Sequence, residues 1–513
     1  MSDALIDFIA ERWLFLIATI TSTVFVFFIP TIKRKIALRR LPLVGQGKWD
    51  YVTRRMKYIT SAEEVYSEGY REFQTGVFRV TNNMESETVV VGPKYLRELS
   101  KLPDSTLSSL NAFQELMMVK YTKVEATAPV ISHTVKTRLT PSMGRLSGQI
   151  SDEVRDALTA EFPKCSDWTD LHFSEKLIRV VARVSGRVFV GAELGRSEEY
   201  MDHTVNYTMD VMYGAHAVGR MKQWLRPLRA SSVPEIKRLN RRLQIAEDFF
   251  TPVIQKRIEG AKQSAWEKPD DLLQWLIDMQ DAKYGDTTAR ELSKRQLDIS
   301  FAAIHTTNGV ALNTMYTLAA MPEAQAEIRE EIRTILAEGG GEYKLSSVQN
   351  MKKLDSFIRE SIRCYPIGAV AFRNKTLKTI VLSDGTVLPE GIIVEAPVSA
   401  VNKDPSLFDD PETFDHLRFY KLQQKAGAKV AESVTKGQLV TVRLDNLIFG
   451  YGKHACPGIF FAVHEIKTIL AELLMRFEVK NAGGFEGRYP NLKHAAFFEP
   501  DPFRHLLLKE IDS

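Results

Sequence analysis

Phe449-Gly450-Tyr451-Gly452-Lys453-His454-Ala455-Cys456-Pro457-Gly458 precedes an apolar run of helical periodicity that continues to about Lys480. This places Cys456 at a helix start. Unpaired backbone N–H groups and the helix dipole favour an anion there, so this cysteine is the one best placed to be a thiolate. Pro457 suits the first helical turn, while Gly452 and Gly458 let the backbone pass close to a bulky flat partner. A lone cysteine is ordinarily buried and inert. The glycine frame argues for a different role.

Three chemistries compete for such a thiolate. Zinc would want further Cys or His at ligand spacing, and His454 with Cys456 makes a single pair. A cysteine hydrolase needs a base held near the sulfur, and the flanking residues identify none. A proximal ligand of haem iron needs no protein partner, and thiolate ligation favours O–O cleavage. That reading predicts oxygen activation.

The rest of the chain bounds these choices. With 513 residues, 44% of them hydrophobic and 10% aromatic, it can bury a large core. Sixty-eight basic against 64 acidic residues leave a net charge of +4 and no basic stripe, so no nucleic acid partner is expected. Cys165, Cys364 and Cys456 are odd in number and far apart, which excludes a disulfide scaffold.

Strand signals are few. Val77–Thr81 and Thr88–Val91 read as one hairpin, and Thr379–Leu382 with Thr386–Leu388 as another around Ser383-Asp384-Gly385. Helical spacing dominates Lys268–Asp281, Leu292–Met321, Glu323–Glu338, Ser346–Cys364 and Cys456–Lys480. The fold class is therefore mainly α with small β-sheets. Within Leu292–Met321, the consecutive polar residues His305-Thr306-Thr307-Asn308 and then Gly309 are poor helix formers, and they predict a local bulge unless the threonines bond back to their own helix.

Trp13–Pro30 is 18 residues without a charge, long enough for a membrane span. Asp3, Asp7 and Glu11 before it argue against a cleaved signal peptide, and Lys33, Arg34, Lys35, Arg39 and Arg40 after it place the remainder in the cytosol. The organisation expected is a lumenal N-terminus at 1–12, an anchor at 13–30, a basic and proline-containing hinge at 31–50, and one body at 51–513. No GxGxxG lies between a strand and a helix, so no fused nucleotide domain is expected.

The cysteine loop resembles that of the cytochrome P450 family, whose pattern is met by Phe449, Gly452, His454, Cys456 and Gly458. Glu360-Ser361-Ile362-Arg363, then Pro411-Glu412-Thr413-Phe414 with Arg418-Phe419, and upstream Ala302 to Thr307 occur in family order. The resemblance spans anchor to C-terminus. It implies the cytochrome P450 fold, with haem b held between a long central helix and the cysteine loop, and Cys456 as axial thiolate. It further implies that Phe449, Gly452 and Gly458 shape that loop, and that His454, Arg373 and Arg138 can meet haem propionates. Glu360, Arg363 and Arg418 become a buried structural network. Thr306 becomes the residue that organises proton delivery, with Ala302 and Ala303 leaving room above the haem. His305 stands where most members carry an acid, so protons run through its imidazole or ordered water unless it only packs. Ile459 replaces an arginine common in fungal relatives.

The activity implied is that of a haem-thiolate monooxygenase in the endoplasmic reticulum membrane, single-pass, with its catalytic domain on the cytosolic face. It uses O2 and electrons from NADPH-cytochrome P450 reductase, with cytochrome b5 as an optional second donor. Its substrate would be a hydrophobic small molecule, a fungal secondary metabolite of terpenoid type, and membrane lipid a further contact. Ser105–Met118, Ala302–Thr306, Ile367–Phe372 and the stretch around Ala496–Phe498 would face that substrate. A second reading is a ring-forming oxidase, dehydratase or isomerase acting on a polyketide or alkaloid. A third is a non-catalytic membrane-tethered binding protein, against which the intact Cys456 frame and Thr306 argue.

Overall fold

The computed structural model describes residues 12–511 except 14, 16, 20, 23–28, 30–31, 74–75, 84–86, 264, 280–283, 285–286 and 425–436. Its long helices are α1 (Tyr51–Glu72), α2 (Thr140–Glu161), α3 (Phe173–Phe189), α4 (Glu198–Gly219), α5 (Pro234–Gly260), α6 (Ala289–Ala319), α7 (Pro322–Glu338), α8 (Lys352–Cys364) and α9 (Ile459–Arg476). Their starts follow local chemistry. The Asp50 side chain accepts the Thr53 amide at 2.7 Å, and Thr288 with Glu291 closes a reciprocal capping box at the head of α6.

The strands are β1 (Val77–Thr81), β2 (Glu87–Val91), β3 (Leu107–Ser108), β4 (Thr169–Leu171), β5 (Ala371–Thr376), β6 (Ile380–Val381), β7 (Val387–Leu388), β8 (Ile393–Ala396), β9 (Phe477–Asn481), β10 (Asn491–His494), β11 (Phe497–Pro500) and β12 (Leu506–Glu510). They form a five-stranded sheet in the order β1-β2-β8-β5-β3, a three-stranded sheet β4-β12-β9, and the hairpins β10-β11 and β6-β7. Both expected hairpins are present, with Val77 opposite Val91 and Val381 opposite Val387. Gly385 supplies the left-handed residue (φ +84°) that the second turn requires.

One large core joins α2, α3, α4, α6, α7, α8 and α9, and a second lies on the five-stranded sheet. The central helix α6 is its axis: Leu312, Met315, Tyr316 and Leu318 are buried to within 1% exposure. Burying a side chain of that size contributes about 2 kcal/mol, which is why so mixed a sequence holds helical form here.

Three helix expectations change, the first because Lys268–Asp281 is helical only over Leu272–Asp278 among the described residues. In α6 the threonines bond back to their own helix and no bulge forms. Its helical run is unbroken from Ala289 to Ala319, and Thr306, Thr314 and Thr317 donate their hydroxyls back to carbonyls four residues earlier at 2.8 Å. The expected helix Ser346–Cys364 is two, Leu345–Asn350 and α8, parted at Met351 (ψ 76°). A carboxylate from another helix stabilises that break, since Glu331 accepts the amides of Lys353 and Leu354 at 2.7 and 3.1 Å. The last expected helix starts at Ile459, three residues after Cys456, and ends at Arg476. Phe477-Glu478-Val479-Lys480-Asn481 then alternates buried and exposed, and pairs with β12 as strand β9.

Most of the expected span Trp13–Pro30 lies outside the described residues. Among the described residues, no helix is long and apolar enough to cross a membrane.

Candidate haem site

The cysteine loop is built on backbone geometry. Gly450 and Gly452 sit at φ +78° and +72°, and the amide of Cys456 donates to the carbonyl of Phe449 at 2.8 Å. The loop thus folds back before α9 begins. Burial pushes the Cys456 thiol pKa up, and the Gly458 N–H, donating to the sulfur, opposes that push. Cys456 nevertheless presents accessible surface, although most of α9 beyond it is buried.

The facing element shows the same signature. In α6, Ile304, Thr307 and Asn308 are buried while Ala302 and Thr306, four residues apart, are exposed on one stripe. The Thr306 hydroxyl donates to the carbonyls of Ala302 and Ala303 at 2.8 and 3.2 Å, which leaves its oxygen free to accept a proton-bearing partner. Helix α6 and helix α9 share one core. An accessible sulfur on the loop ahead of α9 and a small-residue stripe on α6 fit a flat haem between the loop and α6. Cys456 would be its ligand, and Ala302 and Ala303 would leave room on the opposite side.

Segments expected to face substrate converge here. Ile367 comes within 3.5 Å of the position a Gly309 side chain would take on α6. The Ala369 amide donates to Ala496 and the Phe498 amide to Ile367, at 2.9 and 3.2 Å. Phe113 meets Phe301 edge-on at 6.3 Å.

His305 is drawn away from this space. Its Nε2 lies 2.9 Å from the carbonyl of Val205 on α4, an acceptor, so that nitrogen carries the proton. Burial lowers its pKa below the ordinary histidine value.

The three expected propionate donors are placed differently. His454 Nε2 meets Asp104 at 2.8 Å, and Lys453 meets the same oxygen at 2.8 Å. Arg373 Nε pairs with Glu395 at 3.0 Å; burial disfavours its charge, but Glu395 with Tyr58 and Tyr66 outweighs this and holds the pKa high. Arg138 is exposed, on a widened turn at Val135–Leu139. That turn reaches the cysteine loop, because Lys136 Nζ donates to the Lys453 carbonyl at 3.3 Å.

The buried network forms as a unit. Arg363 grips Glu360 through two bonds of 2.8 Å, and Arg418 Nε adds a third at 3.1 Å. Arg363 also donates to the carbonyls of Asn402 and Pro411 at 2.8 and 2.7 Å, and Arg418 to that of Thr413 at 2.9 Å. The network therefore clamps 402–415 onto α8. Glu395, Asp104 and Asn402 were not foreseen, because their roles arise from pairing with residues distant in the chain.

A mainly helical fold, with a glycine-framed cysteine loop leading into a helix that shares a core with a threonine-bearing central helix, defines a haem-thiolate protein. The chain belongs to the cytochrome P450 family: residues 123–506 match the family model of cytochrome P450. It is 39% identical to the cytochrome P450 monooxygenase ATR3 of Stachybotrys chlorohalonatus, over 83% of this chain and 89% of that one. It is 36% identical to the cytochrome P450 monooxygenase BOA4 of Botryotinia fuckeliana, over 82% and 84%. The solved structure of retinoic acid bound cyanobacterial CYP120A1 superimposes with a TM-score of 0.66 at 15% identity, covering 89% of this chain and 96% of that one, and shows the shared fold. The protein is an oxidoreductase of the monooxygenase kind, and its family binds haem through a cysteine thiolate.

Proposed function

We propose that the chain is a membrane-anchored monooxygenase that oxidises a hydrophobic secondary metabolite of terpenoid type, with Cys456 as the haem ligand. The observation that carries the haem-ligand reading is the Cys456 sulfur, accessible and bonded by the Gly458 amide, on a loop whose Phe449 packs on the same core as Phe301, Ala303 and Ile304 of α6. When bound, haem supplies dioxygen activation. The protein's own residues do the rest. Thr306 offers a hydroxyl oxygen that can hold and pass a proton, the apolar stretches near Phe113, Ile367 and Ala496 exclude water and hold an apolar body, and Arg138 is available to an anionic haem edge.

Electrons come from NADPH-cytochrome P450 reductase, with cytochrome b5 as an optional donor. The uncharged run Trp13–Pro30 and the basic cluster behind it support an endoplasmic reticulum anchor with the body at 51–513 in the cytosol. Microsomes carrying the protein and a reductase, incubated with fungal terpenoids and followed by mass spectrometry, test the substrate class. A product heavier by one oxygen, absent with Cys456→Ala, is expected. An unchanged thiolate-type reduced-CO spectrum in Cys456→Ala overturns the ligand assignment. Removal of residues 1–30 should release the protein from alkali-washed membranes.

A further inference from the structure

Asp298 lies four residues before Ala302 and eight before Thr306, on the same stripe of α6 and about 12 Å from the threonine along the axis. Unlike those two it is wholly buried. Its Oδ1 accepts the Glu125 amide at 3.1 Å and the Tyr207 hydroxyl at 3.0 Å. Lys294 Nζ lies 3.7 Å from the other oxygen and 2.9 Å from the Glu125 carboxylate. Three elements meet at one carboxyl: the central helix, helix α4, and the stretch following Val119–Thr122.

The contacts continue towards the substrate side. Tyr207 meets Phe301 edge-on at 6.4 Å, and Phe301 meets Phe113 at 6.3 Å. His305 fastens α4 a second time through the Val205 carbonyl, two turns further along α6. A buried carboxyl is a poor choice for packing alone, because an apolar side chain of similar size costs far less to bury. Here one carboxylate oxygen joins donors from two segments, adding to the Lys294–Glu125 pair and the His305–Val205 contact that also hold them to α6.

We propose that Asp298 is a positioning residue, which fixes the aromatic trio Phe113, Tyr207 and Phe301 beside the Ala302–Thr306 stripe and thereby sets which substrates fit. It touches neither haem nor substrate. Its removal should loosen the wall and leave the iron site intact.

Full-length, haem-loaded Asp298→Ala, Asp298→Asn and Tyr207→Phe proteins can be titrated with two probes while the haem absorption band is followed. Imidazole needs only the iron, whereas clotrimazole must also lay three aryl rings against the wall. Asp298→Ala and Tyr207→Phe should bind imidazole as the wild type does, and clotrimazole about five-fold or more weakly, the size expected for one lost hydrogen bond. Asp298→Asn, whose amide oxygen still accepts both donors, should retain most of the clotrimazole affinity. Equal losses for both probes, no loss, tighter clotrimazole binding, or an Asn variant as impaired as Ala overturns the proposal. Should Asp298→Ala fail to take up haem, Tyr207→Phe, which deletes a single hydroxyl, decides alone. The inference rests on the haem-site reading, and failure of the wild type to bind imidazole would count against that reading, not against the wall.

Discussion

The amide of Cys456 donates to the carbonyl of Phe449 at 2.8 Å, closing the loop that presents the sulfur. Two left-handed glycines make that closure sterically open, and the contact is wholly backbone. The thiol's position is thus set by chain geometry, and side-chain changes elsewhere in the loop act on it indirectly.

Gly452→Ala should damage this geometry in two separable ways. At φ +72° the alanine is strained by about 1 kcal/mol, and its Cβ would lie 2.6 Å from that of Ser100. Haem content per protein and melting temperature should both fall. Ser100→Gly in the same chain should recover part of the loss by removing the clash while the backbone strain persists. Full recovery would show that the left-handed conformation is not needed.

Glu360→Gln should be more severe. It leaves Arg363 and Arg418 facing each other with their shared carboxylate gone, and breaking a buried pair typically costs about 3–5 kcal/mol. Haem-loaded protein should be nearly absent. Arg333→Ala, at an exposed pair with Glu330, should change little and serves as the control.

Thr306 and His305 should separate cleanly. Thr306→Ala should keep a normal reduced-CO spectrum while the product formed per NADPH falls, by up to the roughly hundred-fold that marks the low end of what positioned proton transfer contributes, and Thr306→Ser should retain coupling. His305→Gln, with its donor nitrogen directed at Val205, should leave the solvent isotope effect on turnover unchanged. A reduced isotope effect would instead make the imidazole part of proton delivery.

These contrasts also mark how far the linear sequence could be read. The glycine-framed cysteine was legible because it is local, a few residues that define a turn ahead of a helix; the threonine and the Glu-x-x-Arg pair were not, since a helical threonine or an i, i+3 ion pair is common, and only their order in the family pattern singled them out. Both hairpins were legible from β-branched runs and one Asp-Gly turn. The break at Met351 was not, because Glu331 comes from a separate helix to cap α8. Nor was the end of α9, where period-two burial appears only once β12 pairs with Phe477–Asn481. Asp298 did carry a faint signal, its four- and eight-residue spacing from Ala302 and Thr306, but the partners that give it meaning lie about ninety and more residues away.

Glu465 on α9 gives the last test. Burial pushes its carboxyl up to about 8 against the opposing pull of Ser185, whose hydroxyl donates at 2.8 Å; its second oxygen has no hydrogen-bond partner among the described residues. The unfolded chain releases this proton near 4.5, whereas the folded chain keeps it to about 8. Because the native state then binds the extra proton, stability falls as pH rises across that window. Glu465→Gln mimics the protonated form and removes this pH dependence. Its melting temperature should match the wild type near pH 4.5 and exceed it increasingly towards pH 8, by an amount equivalent to at least about 1 kcal/mol, the value of roughly one pKa unit. A gap that stays constant with pH would mean that the carboxyl is ionised in the native protein and that a counter-charge or water reaches its second oxygen.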